Sequence, residues 1–260
     1  METNHMSCRV RRFLGRILLL SAALWVGAGC GEDNGERQPR KVEGAAKSAG
    51  QTTAAPAPEG KKANQGQNVF LEVLPDGRRR VLISAEVCLR QGQLEMLLTR
   101  KGGKTHEAVL AADIDARVVH KTLLLAQAEP GSPVRFEPFR PPTGTRIKIS
   151  LIYEKDGKKV TVPAQSWVRN FKTKKELESD WVFAGSMLVE NPFDPGAPKK
   201  YLANDGDVIC VTNFEDAMLD VAIESPKLWA QHSYEAWTER IPPEGTKVVV
   251  ALEPVLGKKK

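Results

Sequence analysis

The chain has 260 residues, of which 41% are hydrophobic and 27% are charged, and its formal net charge is +6. Most of this charge lies at the two ends, because residues 1–30 and the tail Lys258–Lys260 carry +3 each, whereas residues 67–257 carry −1. Binding to nucleic acid requires a basic patch on the folded part of a protein. We therefore expect no nucleic-acid partner.

The first 30 residues have the layout of an export signal. A cluster of arginines from Arg9 to Arg16 precedes an apolar run at 17–26, and three small residues then lead to Cys30. This run is too short to span a bilayer, which needs about 20 apolar residues, and its order is typical of a secretory signal. Small residues directly before a cysteine resemble the lipobox of bacterial lipoproteins, whose cysteine carries a diacylglycerol. We predict a lipoprotein-type signal peptide at 1–30 and lipidation of Cys30; the alternative is a plain secretory signal with an incidental Cys30.

Residues 31–66 are predicted to form a disordered tether. Glycine, alanine, proline, glutamine and charged residues dominate this stretch, and it contains no aromatic residue. Such a segment buries too little apolar surface to offset the entropy lost on ordering. Together with a lipid on Cys30, the tether predicts a protein of the cell envelope, held on the periplasmic side of a membrane through its N-terminal lipid.

Residues 67–257 are predicted to form one domain of the α+β class, followed by a basic tail at 258–260. Alternating apolar residues and turn signals predict strands at residues 69–74, 79–90, 93–100, 106–111, 146–154, 159–168, 180–189 and 205–214. A helix is predicted from a cap at Asp113 to Gln127, a short helical turn at 215–222, and a last hairpin over 233–255. The predicted sheet consists mainly of antiparallel hairpins, with one well-formed helix and short helical turns.

Several blocks of this domain resemble the YdjY-type domain of bacterial exported proteins. They include KTHEAVLAADIDARVVHKTLLLA, FRPPTGTRIKISLIYEKDGKKVTVPAQSWV, DWVFAGSMLV, YLANDGDVICVTNFEDAMLD and TERIPPEGT, in this order. The resemblance covers residues 69–256. It implies a lipoprotein or secreted context, and it brings no activity, cofactor or catalytic residue with it.

A histidine group is the candidate ligand or metal site. His106 and Glu107 begin like the zinc motif HExxH, but Leu110 stands where the second histidine is required. His120 falls on the polar stripe of the predicted helix and can face His106 if the strand packs beside that helix. Two interpretations stay open: these residues hold a ligand or a metal, or they are a solvated helix face and the end of a strand.

Two cysteines remain in the predicted domain. Cys88 and Cys210 both lie in apolar, strand-like runs. In an exported protein they can form a disulfide, or they can be separate buried thiols.

The sequence favours a binding or scaffold role over catalysis. Four tryptophans can line an aromatic groove for a glycan or a peptide, or can pack in the core; they are Trp167, Trp181, Trp229 and Trp237. We expect a non-catalytic module without a cofactor and with a protein, peptide or glycan partner. The alternative is an enzyme, metal-assisted or histidine-dependent, built around His106 and His120.

Overall fold

The structure is a computed structural model that describes residues 60–190, 193–194, 196–223 and 233–257. The predicted signal peptide with Cys30, most of the predicted tether, Trp229 and the basic tail lie outside the described residues.

The described residues form strands and few helices. The strands are β1 Lys61–Gly66, β2 Val69–Val73, β3 Arg79–Val87, β4 Met96–Arg100, β5 Ala108–Ala112, β6 Arg135–Phe136, β7 Phe139–Arg140, β8 Arg146–Lys155, β9 Lys158–Pro163, β10 Val168–Asn170, β11 Trp181–Phe183, β12 Leu188–Val189, β13 Lys200–Tyr201, β14 Ile209–Cys210, β15 Leu219–Val221, β16 Tyr234–Ala236 and β17 Lys247–Pro254. The α-helix in this part of the chain is α1, Ala116–Leu125, and the short 3₁₀ helices are Thr105–Glu107, Ala164–Trp167 and Leu202–Asp205. None of the described helices has the length and apolar character needed to cross a membrane.

Eight strands close into a barrel. The hydrogen-bonded order is β3, β17, β8, β11, β15, β14, β4 and β5, and β5 pairs with β3 again. The pairs β4–β5 and β14–β15 are parallel, and the others are antiparallel. Outside this ring, β2 and β1 extend the sheet from β3, and β9 pairs with β8.

The interior of the barrel is filled by one hydrophobic core. Strand β8 shows the pattern, because its buried residues Ile147, Ile149, Leu151 and Tyr153 alternate with more exposed ones. All barrel strands contribute to this core, and the buried apolar side chains of the described residues run from Val69 to Leu252. The buried side chains of this core come from the described residues between 60 and 257, and we expect this body to fold without residues 1–59.

Several local predictions are confirmed, and the class is corrected. The hairpins β2–β3 and β8–β9 form as predicted, and the helix forms too. The described chain is largely β, built on a closed barrel, and not a balanced α+β fold. Closure depends on the pairing of β3 with β5 and of β14 with β4, which join distant segments without any turn signal.

Three element predictions are wrong. The predicted helical turn at 215–222 contains strand β15, which pairs with β11 and β14. The predicted last hairpin does not form, because β16 pairs with β10 and β17 inserts between β3 and β8. The predicted strand at 180–189 is interrupted, since Gly185 and Ser186 both have positive φ values, of 94° and 54°.

Two predicted boundaries also shift, namely the beginning of the helix and the end of the tether. Helix α1 is capped by Asp115, whose carboxylate accepts a hydrogen bond from the Arg117 backbone N–H at 2.9 Å, and not by Asp113. Strand β1 lies inside the range predicted as tether and pairs with β2. The predicted tether therefore overlaps a strand of the described body.

Candidate functional site

His106 and Glu107 lie in a 3₁₀ turn directly before β5, and not on the strand predicted for them. The His106 side chain is 79% exposed, and its Nε2 atom lies 3.8 Å from Oε2 of Glu107. The structure thus brings these two residues together at a surface turn.

His120 has a different environment. Its ring is half-buried on α1 and packs edge-on against Phe183, with the ring centroids 4.8 Å apart. The Nδ1 atom lies 2.9 Å from the Tyr201 hydroxyl, which donates its own proton to the Gly185 carbonyl at 2.8 Å. Because that hydroxyl has one proton, Nδ1 is the donor toward Tyr201. Burial lowers the pKa of His120, which favours the neutral imidazole with its proton on Nδ1.

The predicted histidine group is therefore divided between two places. His120 bonds to Tyr201, whereas His106 contacts Glu107, and no contact joins the two sets. Among the described residues, no group of three or more His, Cys, Asp or Glu side chains is arranged to hold a metal ion. His120 is half-buried at the surface of α1, with Phe183 and Tyr201 packed against its ring.

A buried ionic cluster surrounds Lys104, beside the predicted pair. We name this set the Lys104 cluster; its acidic members are Glu95, Glu107, Asp207 and Asp216. Lys104 Nζ lies 2.9 Å from Oδ1 of Asp207, and the side chain of Asp207 is 1% exposed. The cluster lies where the segment between β4 and β5 covers the barrel wall.

Burial raises the pKa of three carboxyl groups in this region. Burial, with repulsion from Glu107, raises the pKa of Glu95 to about 7. Burial, with repulsion from Asp207, raises the pKa of Asp216 to about 6. The neighbouring Asp220 is fully buried, and its pKa rises to about 8 although it accepts a hydrogen bond from the Val221 N–H. Such shifts are common at functional sites and also in structural clusters.

The sequence analysis did not identify this cluster. The available signal was the presence of acidic residues inside apolar runs, as in LEMLL and DGDVIC. Because buried carboxylates need partners, these runs could have indicated a shared polar site. The contact of Lys104 with Asp207 holds the segment at 101–107 against the barrel, and the raised pKa values of Glu95 and Asp216 favour their protonated forms.

Cys88 and Cys210 are free thiols in the structure, which is the second of the two alternatives left open by the sequence. Cys210 lies on β14, and strands β4 and β5 separate it from Cys88, whose N–H bonds to Val109 of β5. Three ladder spacings amount to roughly 14 Å, whereas a disulfide needs Cα atoms within about 7 Å. Burial raises the pKa of both thiols, to about 11 for Cys88 and well above its usual value for Cys210.

The described tryptophans do not form the aromatic groove considered above. Trp167 and Trp181 are buried, and the Trp181 indole N–H donates to the Cys210 carbonyl. Trp237 is covered by the guanidinium of Arg240, 3.4 Å from its ring centroid. These three residues therefore pack and do not line an open site.

Among the grooves on the described surface, two lie beside the exposed apolar side chains Leu256 and Met187. The first, which we name the termini groove, has a volume of about 800 Å³ and is lined by Leu124, Gln127, Ala128, Glu129, Thr145, Val255, Leu256 and Gly257. The second, the hairpin groove, has a volume of about 570 Å³ and is lined by residues 131–137, Met187 and Glu215. Both have the size of sites that bind ligands or peptide side chains.

Comparison with known proteins gives one result. The YdjY domain family matches residues 73–253, which is more than half of the chain. No curated protein and no solved structure matches it. The range agrees with the resemblance found in the sequence, and it covers every strand of the barrel. The chain belongs to the YdjY domain family.

Proposed function

We propose that this protein is a lipid-anchored component of the cell envelope, facing the periplasm, whose barrel is a non-catalytic binding module. The anchor is the thiol of Cys30. Strand β1 occupies the end of the range predicted as tether, so we propose a tether over residues 31–59. A flexible chain of this length has a root-mean-square reach of about 30 Å, which allows the barrel to meet partners close to the membrane.

The hairpin groove supports the binding role. Phe136 and Met187 form part of its wall, while Arg135, Glu137 and Glu215 provide charges of both signs. Next to Met187, the side chain of Leu188 is 61% exposed. Exposed apolar side chains beside a groove with polar groups are typical of protein-binding surfaces. We propose that the partner is a protein or peptide that inserts an apolar side chain here.

The anchor is tested by the intact mass and the cell fraction of the mature protein. We expect a mass that includes acyl groups on Cys30, partition into detergent with the membrane fraction, and loss of both in Cys30→Ala. A protein without acyl groups in the cytosolic fraction would contradict the proposal.

The binding role is tested by site-specific photocrosslinking in cells of the native host. We expect a photoreactive amino acid in place of Leu188 to give one discrete adduct with a protein or peptide. The same amino acid in place of Phe171, an exposed residue directly after β10, should give none. Equal adduct patterns at the two positions would contradict a specific groove.

Metal analysis of purified residues 50–260 tests the non-catalytic part of the proposal. We expect no stoichiometric metal in the protein or in its His120→Ala variant. Stoichiometric zinc, iron or copper that is lost in His120→Ala would overturn the proposal in favour of a metal-assisted enzyme.

A further inference from the structure

Strands β4 and β5 are parallel neighbours that a very short segment connects. Met96 pairs with Ala108 and Arg100 pairs with Ala112, so the two strands run in the same direction, and residues 101–107 join them. A parallel pair usually needs a crossover of a dozen or more residues. Since the chain has to return over the length of β4, roughly 13 Å, this segment lies along the two strands. We name it the strap.

The middle of the strap packs tightly on the barrel wall. The backbone N–H of Lys104 donates to the hydroxyl of Thr99 at 3.3 Å, and Thr99 is fully buried. A Cβ atom on Gly103 would lie 3.0 Å from this hydroxyl, and one on Gly206 would lie 2.8 Å from it. The two glycines therefore allow the strap and the segment before β14 to close over Thr99.

The strap lies beside a small apolar cluster that is separate from the main core. Its buried members are Met96, Ala108, Cys210 and Ala217, and Phe214 packs against them. The Lys104 ammonium lies 4.8 Å from the centroid of the Phe214 ring. Lys104 and Phe214 thus form part of the layer between the fully buried Cys210 thiol and the solvent.

Two side chains of the strap hold it to the wall. Lys104 Nζ lies 2.9 Å from Oδ1 of Asp207. At the end of the strap, the carboxyl groups of Glu107 and Glu95 share a hydrogen bond, next to the backbone bond from the Glu95 N–H to the Glu107 carbonyl at 3.0 Å. An ionised carboxylate only accepts hydrogen bonds. The contact between Glu95 and Glu107 therefore requires that one of the two groups is protonated.

The charged groups around Glu95 make this contact sensitive to pH. Burial, with repulsion from Glu107, raises the pKa of Glu95 to about 7, although Lys104 lowers it, and Asp207 adds to the repulsion. His106 is largely exposed beside Glu107.

Asp216 acts in the opposite direction, because it attracts Lys104 once it is ionised, and its pKa is raised to about 6. The ion pair of Lys104 is formed with Asp207, so this attraction is the weaker effect. Above about pH 7, two carboxylates therefore face each other where the strap joins β5.

We infer that the strap is a cover that opens as the pH rises and exposes the apolar cluster with Cys210. The closed strap holds a proton between Glu95 and Glu107, and the open strap releases it. The opening equilibrium should therefore increase by up to about tenfold per pH unit between about pH 4.5 and about pH 7. This inference goes beyond the proposed function, since it depends neither on the lipidation of Cys30 nor on the hairpin groove.

The test measures how well the strap protects the Cys210 thiol. The whole protein is treated with dithiodipyridine, a thiol-specific disulfide, and peptide mass spectrometry counts modified Cys210 separately from Cys88. The protection factor is the reaction rate in urea-unfolded protein divided by the rate in native protein at the same pH. We expect this factor to fall about tenfold or more between about pH 5 and about pH 7. Because the opening is local, urea below the unfolding transition should hardly change it.

Variants of the carboxyl pair identify the group that responds to pH. In Glu95→Gln the amide donates to Glu107 at every pH, so the protection factor should change less than about twofold over the same range. Glu107→Gln, on the strap side of the pair, should give the same result. The matched control is Asp216→Asn, which neutralises another carboxyl group of the Lys104 cluster with a raised pKa and should keep the fall of the parent.

Variants of the two strap lysines test the ion pair. Lys104→Met should lower the protection factor of Cys210 at least about tenfold at every pH, because it removes the partner of the buried Asp207. Lys101→Met changes an exposed lysine of the same strap and should leave the factor unchanged. Melting curves of all variants show that each is folded at the temperature of the labelling reaction.

Three outcomes would overturn the inference. The first is a protection factor that stays constant between about pH 5 and about pH 7. The second is an equal loss of pH dependence in Asp216→Asn and Glu95→Gln. The third is a urea dependence of Cys210 labelling that equals that of global unfolding, since the thiol would then be exposed only when the whole domain unfolds.

Discussion

Lys104 Nζ donates to Oδ1 of Asp207 across 2.9 Å, and it reaches this carboxylate from the segment that connects two parallel neighbouring strands of the barrel. The same ammonium group lies 4.8 Å from the centroid of the Phe214 ring. A buried carboxylate is costly without a cation or donors. This single contact therefore ties the segment between β4 and β5 to the residue that precedes β14.

Lys104→Met should lower the free energy of unfolding by about 3 kcal/mol, because it leaves the buried Asp207 without its cation. The measurement is urea denaturation of residues 50–260. The control is Lys101→Met, since Lys101 is 63% exposed and lies 3.3 Å from Glu86, and a surface ion pair contributes less than about 1 kcal/mol. Similar losses in the free energy of unfolding would show that the buried contact with Asp207 stabilises the protein no more than a surface ion pair does.

Glu95→Gln should change how stability depends on pH. The pKa of Glu95 is about 7 in the folded protein and 4.5 in its unperturbed state. Between these values the folded protein holds a proton that the unfolded chain has released, so the free energy of unfolding falls as the pH rises. Asp216 and Asp220 act in the same direction, because their pKa values are also raised.

The glutamine variant does not titrate at this position. Its stability relative to the parent should therefore rise from about pH 4.5 to about pH 7, with a slope of at most about 1.4 kcal/mol per pH unit. Denaturation curves at several pH values measure this difference. A constant difference for Glu95→Gln over the same range would refute the assignment.

Asp115→Ala should destabilise helix α1. The carboxylate accepts hydrogen bonds from the Arg117 backbone N–H and from the Asn204 side chain, and the Arg117 guanidinium beside it holds its pKa well below the usual value. Loss of an N-cap costs about 1 to 2 kcal/mol. Thermal denaturation should show a smaller loss for Asp113→Ala, the residue that the sequence pattern favoured as cap. A larger loss for Asp113→Ala would restore the cap predicted from the sequence.

Much of the fold follows from local signals, and its closure does not. The turn after β2 and the alternation in β8 predict their hairpins, because both features act within ten residues. The pairing of Glu86 with Ala111, which closes the barrel, joins two strands of the sheet that no turn connects. Strand β1 contains no large apolar residue, so its polar composition resembled a tether, and only the hydrogen bonds to β2 define it.

The candidate sites, like the closure of the barrel, depend on contacts between distant segments that the sequence does not indicate. The sequence singled out His120, but its partner Tyr201 is 81 positions away, and no pattern in the helix indicates this contact. The predicted histidine site included Glu107, but the other acidic members of the Lys104 cluster, which are Glu95, Asp207 and Asp216, come from other parts of the chain. Such clusters become visible only when the barrel brings β4, β5 and β14 together.

Tyr201→Phe should destabilise the protein and change the protonation of His120. The variant removes the hydroxyl that accepts a hydrogen bond from Nδ1 of His120 and donates one to the Gly185 carbonyl. Leaving these two partly buried groups without partners costs about 1 to 3 kcal/mol. Since burial lowers the pKa of His120, the folded protein prefers the neutral ring, and stability in the parent should fall as the pH drops below about 6.5.

Nitrogen NMR of the imidazole distinguishes this role from simple packing. In the parent, the neutral ring of His120 should carry its proton on Nδ1, and in Tyr201→Phe this preference should disappear. The control is Tyr153→Phe, a buried tyrosine whose ring packs against Trp167 with centroids 5.5 Å apart; it should leave the His120 signals unchanged. If His120 keeps its proton on Nδ1 in Tyr201→Phe, the Tyr201 hydroxyl does not set the tautomer.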